Sequence, residues 1–290
     1  MSSPTGTVLL LGGTGKVGGR IAPLLKAANV PTLVASRSGN SPTGLPGVKF
    51  DWFDESTWEP VFASASSPPI GAVFLVAPLM SHPGAIMRKF IDLAVAKGAK
   101  RFVLLGASPI TEGGPWMGDA QKYLRELGEQ GKLSWSVLRP TWFQQNFTEN
   151  AHGTFLKSES KLFSGTGNGK VPFVNAEDIA AVGFHALTSP QPPNTDYVIL
   201  GPELLSYPDV AAIISAAVGR TIEYVELSEA DLAARFAQWI DPEYAATLAA
   251  MDTDIKNGAE NRTNDVVRTV TGKEPRSFRD FVEENKAAWI

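Results

Sequence analysis

The sequence predicts an α/β fold, a doubly wound parallel sheet followed by a smaller and mostly helical C-terminal cap. Three observations predict it. Short hydrophobic runs alternate with amphipathic stretches in the first half of the 290 residues, a glycine-rich loop follows the first run, and helix-capping signals recur near the end. We therefore expect a sheet domain over 1–150, with 171–188 packing back onto it, and a mainly helical substrate-binding region over 151–290.

Six short apolar runs are predicted to form the strands of the sheet. Such runs, bounded by turn residues, are typical of strands that are buried on both faces. Between them, Ile21 and Leu25 recur at helical spacing, as do Ile86 and Phe90. The predicted strands cover 7–11, 32–36, 48–52, 72–76, 101–105 and 135–138.

Helix-capping signals mark the C-terminal region. The segments 206–209, 228–231 and 277–280 each place an aspartate three residues after a serine, which is the form of a capping box with aspartate instead of glutamate. Asn175, followed by Glu177 and Asp178, predicts another helix start, because a capping side chain and nearby acids stabilise the free N–H groups there.

Composition excludes several classes of protein. The formal net charge is −4 with no basic tail, so a nucleic-acid partner is not expected. The absence of cysteine, with only three scattered histidines, argues against disulfides, thiol catalysis and a metal site. The longest apolar run, 70–80, is far shorter than the roughly 20 residues of a membrane span. Because the start is short and polar, we expect a cytoplasmic protein.

A glycine-rich loop indicates a cofactor. Glycines between the first strand and the first helix let the chain turn sharply and bring its amides close to a pyrophosphate. The helix N-terminus adds N–H groups and a partial positive charge. This arrangement is typical of a Rossmann-type dinucleotide site. The residues predicted to contact the cofactor here are Gly12, Thr14, Gly15, Lys16, Val17 and Gly18.

The end of the second strand predicts which dinucleotide binds. Folds that prefer NAD place an acid there for the ribose 2′-hydroxyl, whereas this chain has Ser36, Arg37 and Ser38. A guanidinium flanked by hydroxyls attracts a 2′-phosphate. We therefore predict NADP(H); the alternative is that Arg37 is a solvated loop residue.

Residues after the later strands are expected to complete the cofactor site. Asp51 is predicted to bond the adenine amino group, and Trp52 or Phe53 to pack either on the adenine or in the core. Ala77 and Pro78 are expected beneath the nicotinamide ribose. Three further positions follow the fifth and sixth strands: Ser108, Pro140 and Thr141.

The sequence lacks the Tyr-x-x-x-Lys pair with which short-chain dehydrogenases protonate an alkoxide. None of its five tyrosines has a lysine four positions later. Hydride addition to a carbonyl needs such a proton, whereas addition to an iminium cation gives a neutral amine and needs none. An iminium substrate, or no reaction at all, is therefore expected. Ser108, in the place of the usual active-site serine, is either a substrate contact or a turn residue.

Several motifs resemble those of NmrA-like atypical short-chain dehydrogenases, namely 12–18, 36–37, 101–108 and 138–140. Others are similar to the festuclavine and agroclavine dehydrogenases of ergot-alkaloid biosynthesis, namely 138–143, 167–173, 200–207, 251–256 and 270–289. The resemblance implies NADPH-dependent reduction of a cyclic iminium, formed from a clavine aldehyde and its secondary amine, to a tetracyclic alkaloid. It also implies a flavin-dependent reductase upstream in the same pathway.

An indole-bearing cation is attracted by an aromatic surface, and a carboxylate adds a matching charge. The candidates follow the fifth and sixth strands, at the sheet edge where ligands bind in open α/β sheets. They are Trp116, Asp119, Trp142 and Phe143, with Glu149 as a further counter-charge. Trp239 is expected to pack against helices, and the alternative is that it closes the pocket.

Two other functions fit the same residues. A non-catalytic NADP(H) sensor would use the dinucleotide site without turnover. A ketone or quinone reductase would take its proton from water.

Overall fold

The computed structural model of the chain describes residues 6–65, 68–80, 82–149 and 151–290. The chain divides into two compact units. Within the described ranges, every helix falls short of the length and hydrophobicity that a membrane span requires.

Each unit is assembled from several stretches of chain. Unit 1 consists of Met1–Pro140, Ala176–Val198 and Thr269–Gly272. Unit 2 consists of Thr141–Asn175, Ile199–Arg268 and Lys273–Ile290. The first boundary therefore falls at residue 140, where 150 was expected, and the stretch that returns to unit 1 is 176–198 instead of 171–188.

The main sheet has seven strands in the order β3-β2-β1-β4-β5-β6-β9. The pairings from β3 through β6 are parallel. This order is that of a doubly wound Rossmann-type sheet, which confirms the predicted fold class. The strands of the described chain are β1 (Thr7–Leu11), β2 (Thr32–Ser36), β3 (Gly47–Lys49), β4 (Ile70–Val76), β5 (Arg101–Leu105), β6 (Ser134–Pro140), β7 (Lys161–Ser164), β8 (Lys170–Val171), β9 (Thr195–Ile199), β10 (Leu205–Ser206) and β11 (Glu223–Glu226).

The helices of unit 1 pack closely on one another. Gly183 lies where a Cβ would come within 2.9 Å of Ile21 Cδ1, so the first and seventh helices are in intimate contact. The α-helices of the described chain are α1 (Gly18–Ala27), α2 (Trp58–Ser64), α3 (Gly84–Ala96), α4 (Gly118–Glu129), α5 (Asn146–Glu149), α6 (Ala151–Ser158), α7 (Ala176–Thr188), α8 (Tyr207–Val218), α9 (Glu229–Phe236), α10 (Pro242–Lys256), α11 (Val266–Thr271) and α12 (Phe278–Asn285).

Unit 2 has an aromatic core of its own. The Phe147 ring lies 5.2 Å from Phe173 and 5.3 Å from Phe278 between centroids. Trp289 is buried, and its Nε1 donates a hydrogen bond of 2.7 Å to the Phe147 carbonyl. The end of the chain is therefore tied to α5. Two small sheets accompany the core, with β7 parallel to β11 and β8 antiparallel to β10.

The edges of the main sheet differ from the prediction. β1, β2 and β5 begin and end where predicted, but the third strand is Gly47–Lys49 and not 48–52. It ends early because the Asp51 N–H donates to Thr57 Oγ1 at 2.9 Å instead of to a neighbouring strand. The seventh strand, β9, was not predicted because only Ile199 within it is fully buried, so it lacks a continuous apolar run.

The three predicted serine caps are confirmed. Ser206 accepts a hydrogen bond from the Asp209 N–H, and the Asp209 carboxylate accepts one from the Ser206 N–H, which completes a capping box. Ser228 and Ser277 cap α9 and α12 in the same way, by accepting from the N–H three residues later.

Candidate functional site

The glycine-rich loop joins β1 to α1. Gly12 has a φ of +64°, which glycine adopts without strain, and its carbonyl accepts a hydrogen bond of 2.9 Å from the Gly15 N–H. A Cβ on Gly18 would lie 2.5 Å from the Gly12 oxygen, so this close approach requires glycine. Thr14 is exposed, as are Gly12 and Gly15. The loop therefore offers an open backbone surface for a ligand.

The loop also carries the electrostatics of an anion site. Helix α1 begins at Gly18 with no acid in its first turn and no capping side chain. The positive end of the helix dipole is therefore not neutralised from within α1, which favours a bound phosphate. Within the loop, Lys16 is half-buried and Val17 is buried.

The loop lies where strand order reverses, between β1 and β4. In open α/β sheets, ligands bind outside the carboxyl ends of the strands at such a position. Ala77 and Pro78 follow β4 directly, and Pro78 is buried. The residues predicted for the pyrophosphate and for the nicotinamide ribose therefore follow adjacent strands.

The turn from Ser36 to Ser38 exposes the guanidinium of Arg37 to solvent. Ser36 Oγ donates to the Asn40 carbonyl at 2.9 Å, and the Asn40 N–H donates to Ser38 Oγ at 3.3 Å. These bonds hold the turn, whereas the Arg37 side chain is exposed and no carboxylate in the described part of the chain pairs with it. An exposed, unneutralised guanidinium at the end of β2 suits a 2′-phosphate.

The structure separates the two aromatic candidates for the adenine. Trp52 Nε1 donates to the Val76 carbonyl at 3.0 Å, and its ring contacts the Phe90 ring edge-on at 5.4 Å, so Trp52 packs as a core residue. Phe53 is 67% exposed. Asp51 Oδ1 accepts from the Phe53 N–H at 3.0 Å, which fixes the turn that presents Phe53.

Ser108 and Pro140 are joined through their backbones. The Ser108 N–H donates to the Pro140 carbonyl at 2.8 Å, and Ser108 is 2% exposed. Arg139 Nη2 donates to the Ser108 carbonyl at 3.0 Å, and Arg139 pairs with Asp196 at 2.7 Å. In unit 2, Thr141 is buried and its Oγ1 bonds Glu260 at 3.1 Å. These hydrogen bonds show that Ser108, Pro140 and Thr141 each also have a structural role.

Unit 2 contains a cavity of about 480 Å³ with an aromatic wall. Trp142, which the sequence suggests as a substrate contact, lines it, and Trp239 lines it as well. Trp239 is 65% exposed, which disfavours the expected helix packing and agrees with the alternative of a pocket residue. The remaining lining residues are Asn146, Thr148, Glu149, His152, Thr154, Phe155, Phe236, Ile240, Tyr244, Leu248 and Asp252.

A buried carboxylate lies in the cavity wall. Asp252 is 4% exposed, and its Oδ2 accepts a hydrogen bond of 2.8 Å from the Gly165 N–H. Burial raises the pKa of Asp252 to about 7, since a charged carboxylate is poorly solvated there. The group can therefore exist in either protonation state near neutral pH.

A histidine in the same wall is held neutral. The His152 ring stacks on Phe147 at 5.5 Å, and its Nδ1 is buried without a hydrogen-bond partner in the part of the chain that the structure describes. Burial lowers the pKa of His152 to about 4. His152 therefore adds an uncharged aromatic surface to the cavity near neutral pH.

Three of the four predicted substrate residues are not among the side chains that line this cavity. Trp116 is half-buried in the left-handed region, with a φ of +58°, just before α4. Asp119 forms an ion pair with Arg88, so its charge is already matched and its role as a substrate counter-charge loses support. Phe143 forms a backbone bridge with Val174. Among the described residues, no cluster of three or more acids or histidines could hold a metal ion.

Three tyrosines have pKa values shifted away from that of an activated proton donor. The hydrogen bond to Asp92 raises the pKa of Tyr123 to about 12. Burial raises the pKa of Tyr197 and of Tyr244. A catalytic tyrosine of the dehydrogenase type needs the opposite shift, because a nearby cation must lower its pKa.

Two family models match the chain. A model described as NAD(P)H-binding matches residues 12–190, and the model of the NmrA-like family matches residues 118–281, more than half of the chain. The chain belongs to the NmrA-like family. These matches confirm the predicted resemblance and support NADP(H) as the cofactor, and the protein is an NAD(P)-dependent oxidoreductase.

This NmrA-like protein is similar to two curated dehydrogenases over nearly its whole length. It is 45% identical over 293 residues to a festuclavine dehydrogenase of Aspergillus fumigatus, covering 98% of this chain and 99% of the relative. It is 43% identical over 290 residues to an agroclavine dehydrogenase of Claviceps fusiformis, again covering 98% and 99%. The crystal structure of a Citrobacter sp. triphenylmethane reductase complexed with NADP(H) shares the fold, with a TM-score of 0.76, 17% identity, and 96% and 99% of the two chains covered.

Most of the residues that line the cavity were not predicted from the sequence. Tyr244, Leu248 and Asp252 are four residues apart and share one face of α10, while His152 and Phe155 are three apart on α6. This spacing was visible in the sequence, but an aromatic stripe at helical spacing is also typical of a core. Only the folded structure shows that these faces of α6 and α10 border a cavity.

Proposed function

We propose that the protein uses NADPH to reduce a cyclic iminium fused to an indole, derived from a clavine aldehyde, and so acts on a CH–NH group to form a tetracyclic alkaloid. The observation that carries the proposal is the cavity of unit 2, whose wall combines Trp142, Trp239 and other aromatic side chains with the carboxyl group of Asp252. Aromatic faces attract cations, and a carboxylate offers the matching charge. The names of the curated relatives support the clavine class of substrate.

In this proposal unit 1 is the NADP(H)-binding domain and unit 2 binds the substrate. The loop Gly12–Gly18 would hold the pyrophosphate, because its glycines allow close approach and α1 presents its positive end. Arg37 would hold the 2′-phosphate, and Phe53 would cover the adenine. Ala77, Pro78 and Ser108 are proposed on the nicotinamide side, with Pro140 and Thr141 acting through backbone atoms.

The protonation states of the chain's own residues favour an iminium over a ketone. When bound, NADPH supplies a hydride, which turns the C=N⁺ bond of an iminium into a neutral amine and leaves NADP⁺, with no proton required. The raised pKa of Tyr123, of Tyr197 and of Tyr244 makes these side chains poor partners for a proton transfer at neutral pH. The residues of the cavity then bind and orient the cation and exclude water.

The substrate requires a supplier. When an aldehyde closes onto its own secondary amine, a proton is taken up and water is lost to give the iminium, so an enzyme that delivers the aldehyde must act first. We propose a flavin-dependent reductase in that position, and a cytoplasmic location for both steps.

The test is NADPH consumption by the purified protein with an N-methyl dihydro-β-carbolinium salt, a permanent cyclic iminium fused to an indole, and with the iminium formed from the clavine aldehyde. We expect loss of nicotinamide absorbance together with appearance of the amine by mass. NADPH binding without turnover of either compound would instead indicate a sensor. Turnover of a quinone or a simple ketone, with no turnover of either iminium, would indicate a ketone or quinone reductase.

A further inference from the structure

Asp252 is the buried acid of the unit 2 cavity. It is 4% exposed, whereas Glu149, the other acid of the cavity lining, is exposed. Within the described chain its carboxyl group has one hydrogen bond, from the Gly165 N–H to Oδ2. One oxygen is therefore anchored, and the other remains available to a ligand in the cavity.

The described side chains that line the cavity with Asp252 include no lysine or arginine. His152 on α6 stays neutral near pH 7, because burial lowers its pKa to about 4. Tyr207 on α8 is buried, and burial together with the charge of Asp252 raises its pKa well above the ordinary value. Tyr244 on α10, whose pKa burial also raises, lines the same cavity, as does Glu149 at the end of α5. Arg235 on α9 lies over the Phe155 ring, but its guanidinium pairs with Glu159. A charged Asp252 would therefore lack a partner of opposite sign in this set.

We propose that Asp252 selects a cationic substrate: when the cation enters the cavity, the neutral carboxylic acid releases its proton to solvent and the resulting carboxylate becomes the counter-charge. This inference rests on the proposed function and names the specificity-determining residue of that site. The anchored geometry explains why the acid need not move, since the Gly165 N–H holds one oxygen in either protonation state. Because burial favours the neutral acid, a neutral ligand meets no buried charge. A bound cation, in contrast, stabilises the carboxylate and so gains binding free energy.

Proton release makes binding depend on pH in a defined way. A permanent cation has no proton to lose. The pH dependence of its affinity therefore comes only from Asp252, and the affinity is proportional to the fraction of Asp252 that is already deprotonated before the cation binds. With a pKa of about 7 before binding, raising the pH from 6 to 8 should tighten binding about tenfold. At pH 7 about half a proton should leave for each cation bound.

The experiment uses the full chain saturated with NADP⁺, which cannot reduce the ligand. Binding of the N-methyl dihydro-β-carbolinium salt and of tetrahydrocarbazole, a neutral compound of similar size, is measured by calorimetry from pH 6 to 8 in buffers of different ionisation enthalpy. The variant Asp252→Asn keeps an oxygen acceptor for Gly165. Asp254→Asn, an exposed position on the same helix, is the matched control.

We expect the native protein and Asp254→Asn to bind the cation about tenfold more tightly at pH 8 than at pH 6, with proton release. Asp252→Asn should bind the cation with no pH dependence, bind it more weakly at pH 8, and bind tetrahydrocarbazole as the native protein does. An unchanged pH profile in Asp252→Asn, or loss of that profile in Glu149→Gln alone, would overturn the inference. Absence of NADPH turnover with the Asp252-dependent binding intact would instead refute the proposed function alone.

Discussion

Replacing Asp252 by asparagine should stabilise the protein at alkaline pH. The carboxyl group has an ordinary pKa of 3.8 and a folded pKa of about 7, raised by burial. Because the pKa is higher in the folded state, the folded protein holds the Asp252 proton more tightly than the unfolded chain does. This contribution to stability is fully present below pH 3.8 and is lost as the pH rises toward and through 7. Three pKa units at 1.36 kcal/mol each give a penalty of about 4 kcal/mol at pH 8. Asparagine carries no charge and avoids it.

The assay is urea unfolding of the native protein and of Asp252→Asn at pH 5 and pH 8, followed by circular dichroism. The difference between the two free energies of unfolding should grow by roughly 2 to 3 kcal/mol over this range in favour of the variant. His152 titrates in both proteins and cancels in the difference. Asp254→Asn should show no such trend. If the native protein and Asp252→Asn respond identically to pH, the burial argument for Asp252 is wrong.

Three further substitutions test the cofactor site and the fold. Arg37→Ala should raise the KM for NADPH by on the order of ten- to a hundredfold and leave that for NADH unchanged, because one charge-assisted contact contributes about 1.5–3 kcal/mol; equal changes for both coenzymes would argue against a 2′-phosphate contact. Gly18→Ala should weaken NADPH binding more than tenfold, since its Cβ would lie 2.5 Å from the Gly12 oxygen, whereas Gly19→Ala, with its nearest neighbour at 3.7 Å, should bind normally in the same fluorescence titration. Ser206→Ala should lower the free energy of unfolding by about 1 kcal/mol through loss of the capping box, measured in urea, and no loss would mean that solvent replaces the cap.

The sheet and its loop were predictable because local sequence determines them. A strand covered on both faces, such as β1, is an uninterrupted apolar run with clear ends. A glycine-rich turn between the first strand and the first helix of an alternating α/β chain is typical of a dinucleotide-binding loop. The serine caps were predictable for the same reason, since Ser206 and Asp209 interact within one turn.

The substrate side could not be predicted in the same way. The cavity joins side chains of α5, α6, α9 and α10, which are far apart in the chain, so burial decides their chemistry. The sequence offered Asp119 as a counter-charge, but the fold pairs it with Arg88. Asp252 was not singled out, because a single acid on a helix is ordinarily exposed, and only the fold shows that it is buried.

The most direct test of the central claim is the fate of the hydride. The protein is incubated with NADPH doubly deuterated at nicotinamide C4 and with the iminium formed from the clavine aldehyde, and the product is analysed by mass spectrometry and NMR. The proposed function predicts one deuterium, on the carbon that carried the C=N⁺ bond, for each NADPH consumed. A reduced product without deuterium at that carbon, or no product at all while NADPH binds, would contradict it.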